Sequence, residues 1–194
     1  MEQTSTDPKQ QAILEAAWHA FATYGFRKTS MDDIAQRAGM SRPALYQHYK
    51  NKNDIFRSLA QHYYDAAARD VSDALNGEGE LHSRIEAAFA AQGGKVAEAM
   101  LTSAHGRELL ETGGVAAADI VERGEARLTF VYAQWLADQA ARRAIRLSGQ
   151  STDVAATLTA ALKGIKSAAP DYATYRKQVA ELARIVAAGL APVW

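Results

Sequence analysis

The segment MDDIAQRAGMSRPALYQHY, residues 31–49, constrains the chain more tightly than any other feature. Its first half reads as a helix of about two turns that stops at Gly39. Its second half starts a new helix, capped by Ser41, with Pro43 tolerated because first-turn amides need no partner within the helix. Ile34, Ala35, Ala38 and Leu45 are small or apolar enough to pack the two helices together. Gly39 permits the sharp turn, which a β-branched residue would resist. Two short helices joined in this way form a helix-turn-helix, whose second helix can enter the major groove of DNA.

The residue types around this juncture fit such a surface. Ser41, Arg42 and Ala44 fall on the first turn of the second helix, the part that reaches base edges. Arg42 can give two hydrogen bonds to a guanine edge or pair with a phosphate, and Ala44 can touch a thymine methyl. Tyr46 and His48 can donate to phosphate oxygens, contacts that set register rather than sequence. Lys52 opens the following helix, where the macrodipole disfavours a cation by a few tenths to about 1 kcal/mol. A phosphate bound there, shared with the free amides of that helix start, would reverse the sign. Tyr49 falls on the side facing the first and fourth helices and reads as core. The chain has no net charge, yet residues 27–57 carry a net +4 and residues 61–194 a net −2. A local basic patch on a neutral chain can be an electrostatic footprint for phosphate.

The rest of the chain also reads as helix, so the expected fold class is all-α. Asp7-Pro8 is a cap followed by a first-turn proline, and Ile13, Leu14, Ala17, Trp18 and Phe21 recur at helical spacing up to Gly25. Thr29 or Ser30 can cap the short helix after it, and Asn51 the fourth helix, which runs to about Leu75. NGEGE at 76–80 is the clearest break. Beyond it the pattern predicts helices over 80–92 and 95–103, and a short one ending at Gly113-Gly114. A long helix from about Val115 to Leu147 follows, whose middle, LTFVYAQWL, is apolar nearly all round and so expected inside its domain. Two last helices span about 152–168 and 171–190. The expected division is a helix-turn-helix domain over 8–52 and a larger helical domain over 53–194, bridged by the helix at 52–75.

At this point the match becomes specific. Residues 9–60 resemble the DNA-binding domain of the TetR family of ligand-responsive transcriptional regulators. The stretches ILEAAWHAFATYGFRKTSMDDIAQRAGMS and PALYQHYKNKNDIF carry the resemblance, with the spacing from Gly25 through Ile34-Ala35, Gly39, Leu45-Tyr46 and Lys52. It covers roughly a quarter of the chain. The resemblance implies three helices in the DNA-binding domain and about six in a domain that binds a small molecule and dimerises. It carries DNA contacts onto Thr29, Ser30, Arg42, Pro43, Ala44, Tyr46, His48 and Lys52. Tyr49 stands where the family commonly has Phe or Val.

The larger half offers candidates for both remaining roles. Val154, Leu158, Leu162 and Ile165 line one face of the penultimate helix, and Tyr175, Val179, Leu182, Val186 and Leu190 one face of the last. Two such helices from each of two copies can form a four-helix bundle across a two-fold axis. Such a homodimer would set two recognition helices about 34 Å apart, suiting palindromic double-stranded operator DNA. For a small-molecule effector, the long helix offers Phe130, Val131, Tyr132, Gln134 and Trp135, and its neighbours Phe89, Met100, Leu101, His105 and Leu110. Rings and thin charge there suggest an apolar or aromatic ligand.

Other classes are disfavoured. His19, His48, His62, His82 and His105 form no metal-spaced pair, and no HExxH, nucleophile elbow or glycine-rich phosphate loop occurs. No catalysis, metal or cofactor is therefore expected. The chain has no cysteine, no signal-peptide-like N-terminus and no apolar run near the roughly 18 residues of a membrane span, which fits a cytoplasmic protein without a membrane role. The function expected is a repressor released from its operator by ligand. The alternatives are an activator of the same fold, or a helical interaction protein that does not bind DNA.

Overall fold

The computed structural model describes residues 7–192, apart from the side chains at 110, 113 and 114. Nine α-helices, and no strand, occur among the described residues. They are α1 (Pro8–Tyr24), α2 (Met31–Arg37), α3 (Arg42–His48), α4 (Lys52–Asn76), α5 (Leu81–Thr102), α6 (Gly106–Ala116), α7 (Ala118–Ala141), α8 (Ser151–Ala168) and α9 (Tyr172–Leu190). No described helix is long and apolar enough to cross a membrane.

The helices form two compact units. The first holds the residues up to His62 together with Thr102–Val121; the second holds Tyr63–Leu101 and the chain from Glu122 onward. Residues 53–62 and 102–121, assigned to the larger domain on sequence, thus group with the helix-turn-helix. Two contacts within the first unit explain this. Arg57 forks onto both carboxylate oxygens of Asp119 at 2.7 and 2.8 Å, and Glu108 of α6 reaches the backbone of Arg27.

The first unit is built on α1, whose first turn is held by Asp7 accepting from the amide of Lys9. A cap of this kind stabilises a helix by about 1 kcal/mol. Ile13, Leu14, Ala17 and Phe21 are buried, as helical spacing requires, with Ile34, Leu45 and Ile55 from α2, α3 and α4. Phe21, Phe26 and Phe56 meet with centroids 5.1–6.0 Å apart.

The second unit packs α4, α5, α7, α8 and α9 around Phe89, Leu128, Tyr132 and Leu136. The helices expected at 80–92 and 95–103 are both present within α5, parted as expected at Gly94, whose φ of 53° and ψ of −160° leave the helical region. Four features differ from the sequence expectation. The long helix is shorter than 115–147. Gly113-Gly114 do not stop α6, which continues to Ala116. At the other end, Ala144 N–H bonds the carbonyl of Gln139 and Arg143 that of Ala140. That bond pair ends a helix through one left-handed residue, here Arg143 at φ 58°. No glycine marks it, so it is invisible in the sequence.

The third difference is that α7 is not buried all round: Phe130 is 60% exposed and Gln134 also faces out. The fourth concerns the dimer stripe. Leu158, Leu162, Tyr175, Val179 and Leu190 are buried within the chain itself, while Ile165, Leu182 and Val186 are half-buried. The longest apolar side chains go to the nearest core, their own.

Candidate nucleic-acid interface

Local rules place the recognition helix. Ser30 caps α2 by accepting from the amide of Asp33, while the Asp33 carboxylate takes the amide of Ser30 at 2.8 Å. The hydroxyl and amide of Ser30 hold that carboxyl below its usual range. At the other end of α2, Met40 N–H bonds the carbonyl of Ala35 and Gly39 that of Gln36, with Gly39 at φ 67°. This closure needs a left-handed residue, which is why glycine stands there. Ser41 then caps α3 through the amide of Ala44, and Pro43 lies in the first turn. Leu45 is fully buried beneath α3, and Tyr49, buried as expected, accepts a hydrogen bond from Gln10.

This leaves one face of α3 free. Ser41, Arg42, Pro43, Tyr46 and His48 are exposed, Ala44 is half-buried, and Ser30 is exposed at the start of α2. Arg42 is held on two sides. Its Nη1 donates to Asp32 at 2.9 Å, and its guanidinium lies 5.5 Å from the centre of the Tyr46 ring. Tyr46 and then Asp32 raise its already high pKa.

Two residues assigned to DNA on sequence have other partners. Thr29 is 2% exposed; its hydroxyl donates to the carbonyls of Gly25 at 2.8 Å and Ala20 at 3.3 Å. Its side chain therefore fixes the approach to α2. Lys52 donates to the carbonyls of Phe26, Arg27 and Thr29 at 2.8, 3.0 and 2.9 Å, and its ammonium sits 4.8 Å from the Phe26 ring centre. Its donors are thus met by three backbone oxygens. Nor are all the amides of the α4 start free, since Asp54 N–H bonds Asn51.

The same loop is held from α6, a contact sequence reading missed. Glu108 accepts from the amide of Arg27 at 3.0 Å and lies 3.3 Å from His105. The Arg27 amide first, and His105 after it, hold the Glu108 carboxyl below its usual range. Gly25, at φ 83°, lets Glu108 approach, because a Cβ there would collide with the carboxylate. His105, an effector candidate on sequence, is thereby placed in the first unit, beside an open depression of about 420 Å³ lined also by Thr23, Tyr24, Lys28 and Asp33.

Of the other effector candidates, Leu110 falls in the first unit and the rest in the second. Phe89, Tyr132 and Trp135 are buried; Met100, Leu101 and Val131 are half-buried; Phe130 and Gln134 face out. The side chain of Leu110 lies outside the described residues. Trp135 donates to the carbonyl of Leu75 at 2.9 Å and Tyr132 weakly to that of Ala88 at 3.4 Å.

The family model for bacterial regulatory proteins of the TetR type matches residues 13–59, the stretch that builds this surface. Residues 13–59 therefore match the TetR-family DNA-binding region. The HTH-type transcriptional activator FasR of Mycolicibacterium smegmatis is 34% identical over 85 residues, 44% of this chain and 39% of FasR. The chain thus spans about two fifths of that relative's length. A solved transcriptional regulator from Cytophaga hutchinsonii shares the fold across 95% of this chain and 99% of its own, with a TM-score of 0.75 at 18% identity. A solved SmeT–triclosan complex covers 95% of this chain and 92% of its own, with a TM-score of 0.69 at 17% identity. FasR and the Cytophaga hutchinsonii protein are both named as regulators of transcription.

Proposed function

We propose that this chain is a sequence-specific DNA-binding transcriptional regulator, acting as a homodimer on a palindromic operator. The observation that carries the reading is the exposed face of α3. Ser41, Arg42, Pro43, Ala44, Tyr46 and His48 stand on a helix fixed by two caps, Gly39 and buried Leu45. Ser30 joins it from the start of α2. Two such helices related by a two-fold axis suit half-sites one helical turn apart.

The mode we favour is repression, relieved by a small-molecule effector with an apolar or aromatic body bound in the second unit, in a cytoplasmic protein. The SmeT–triclosan complex supports a ligand for a chain of this fold. Activation is the second reading, supported by the name of FasR. An effector acts only through its differential affinity for two states, one of which mates both half-sites.

The test is a gel-shift and footprint on the DNA upstream of the chain's own gene. A two-fold symmetric footprint, resistant to nonspecific competitor and lost in Arg42→Ala, is expected. Retardation that unrelated DNA competes equally well would overturn the reading. A footprint over the core promoter fits repression, and one upstream of it fits activation.

A further inference from the structure

Within the second unit, α4 and α7 run side by side and end together. Gly124 of α7 lies so close under the Tyr64 ring of α4 that a Cβ there would collide with it. One turn on, Arg127 pairs with Asp65. Toward the far ends, Trp135 donates to the carbonyl of Leu75 at 2.9 Å. Helix α4 stops at Asn76, directly after that contact, and α7 stops at Ala141, about 9 Å of helix past it. The loop after α4 and the turn after α7 therefore leave the unit at the same end.

The two segments carry opposite charge. Residues 70–80 hold Asp70, Asp73, Glu78 and Glu80 and no base, while residues 139–152 hold Arg142, Arg143 and Arg146 and no acid. All of these side chains are exposed, and among the described residues none of them has a hydrogen bond or an ion pair. Elsewhere in the unit cations do find carboxylates, as Arg127, Lys163 and Arg184 each show. Arg84, the first base after the acidic loop, gives its guanidinium to the carbonyl of Leu75 instead. Arg143 adds a second sign. It takes the left-handed conformation, at φ 58°, where α7 closes. Glycine holds such a position without steric cost, and arginine does not. A long side chain kept where glycine is easier points to a use for its guanidinium.

Opposite charges left unpaired at one end of a unit complement themselves across a two-fold axis. The arginine turn of one copy meets the acidic loop of the other, and the same junction holds the reverse pairing. We propose that this end of the second unit docks onto the same end of a second copy, Arg142, Arg143 and Arg146 of each against Asp73, Glu78 and Glu80 of the other. Arginine suits the role, because its planar fork takes a carboxylate through two parallel bonds. Exposed pairs are individually weak, so the contact is reversible and screened by salt. It is separate from the helix faces of α8 and α9, and it does not depend on DNA binding.

The test is sedimentation of the full-length protein, without DNA, at about 0.05 M and about 0.5 M salt, which span weak and strong screening. The species at high salt is the reference. At low salt the average mass should rise to about twice that value or beyond, as a two-fold pairing requires. The triple variant Arg142→Glu, Arg143→Glu, Arg146→Glu should stay at the reference mass, and so should Asp73→Lys, Glu78→Lys, Glu80→Lys. Mixed in equal amounts, the two variants should associate again, because each presents the charge that the other lacks. An equal mass at both salts, reversed variants that associate as the parent does, or a mixture that stays apart overturns the proposal. The substituted positions are all exposed, so the core is untouched. The salt comparison on the unaltered protein needs no variant to fold.

Discussion

The ammonium of Lys52 donates to the carbonyl of Arg27 at 3.0 Å, with the carbonyls of Phe26 and Thr29 as its other acceptors. The same peptide segment offers its Arg27 amide to Glu108. The turn that leads into α2 is thus pinned by α4 through its carbonyls and by α6 through an amide. Any shift of α4 or α6 reaches the recognition helix by way of this turn.

Lys52→Met should therefore act first on stability. Losing hydrogen bonds from a charged donor should lower unfolding free energy by roughly 1–2 kcal/mol. The dependence of DNA affinity on salt should hardly change. A residue that neutralises a phosphate gives the opposite pattern: stability stays, and the slope of log affinity against log salt falls by about 0.9. Urea melts and salt titrations of the same variant separate the two.

Arg42 is expected to read a base. Its pairing with Asp32 places a carboxylate beside the guanidinium, and a phosphate brought there would meet like charge. A guanine edge offers two neutral acceptors to the remaining donors. Arg42→Ala should cost about 1–3 kcal/mol at one base pair per half-site and little elsewhere. Asp32→Asn should tighten binding to unrelated DNA and weaken that discrimination. Affinity measured over a set of single-base operator variants tests both, and a uniform loss in Arg42→Ala would mark Arg42 as a phosphate contact.

These two residues show what the sequence could and could not convey. The helix-turn-helix was legible because local rules write it: Ser30 and Ser41 as caps, Gly39 as the left-handed turn, Leu45 as the buried contact. The type and position of Lys52 were equally legible, but not its acceptors, because backbone carbonyls leave no mark in a sequence. Glu108 was missed for a related reason, since its partner is an amide 81 residues away. The apolar stripes of α8 and α9 were real, but periodicity tells that a face is buried, not which neighbour buries it.

Glu108 supplies a pH prediction. Its carboxyl is held below the usual value of about 4.5 by the Arg27 amide and then by His105. A carboxyl lowered on folding stabilises above its unfolded pKa, and that contribution is lost as pH falls through the lower, folded value. Glu108→Gln should therefore be less stable than the parent at pH 7, with the gap closing below pH 4.5. Urea midpoints at neutral and acid pH check this, and a gap independent of pH would assign the effect to packing.

With Leu158, Leu162, Tyr175, Val179 and Leu190 buried in the chain's own core, the outer faces of α8 and α9 offer further surface to a dimer. Ile185 of α9 is a large aliphatic side chain 56% exposed on the outer face of the last helix. Ala156 and Ala160 of α8 and Ala188 and Gly189 of α9 are exposed too, and such small residues allow close helix approach. Ile185→Glu should lower the measured mass toward one chain in light scattering while the helical signal stays. Leu162→Ala should behave the other way. It opens a cavity in a buried site and should cost about 2–5 kcal/mol of folding stability. If Ile185→Glu leaves the oligomer intact, the dimer surface lies elsewhere than the outer face of α9.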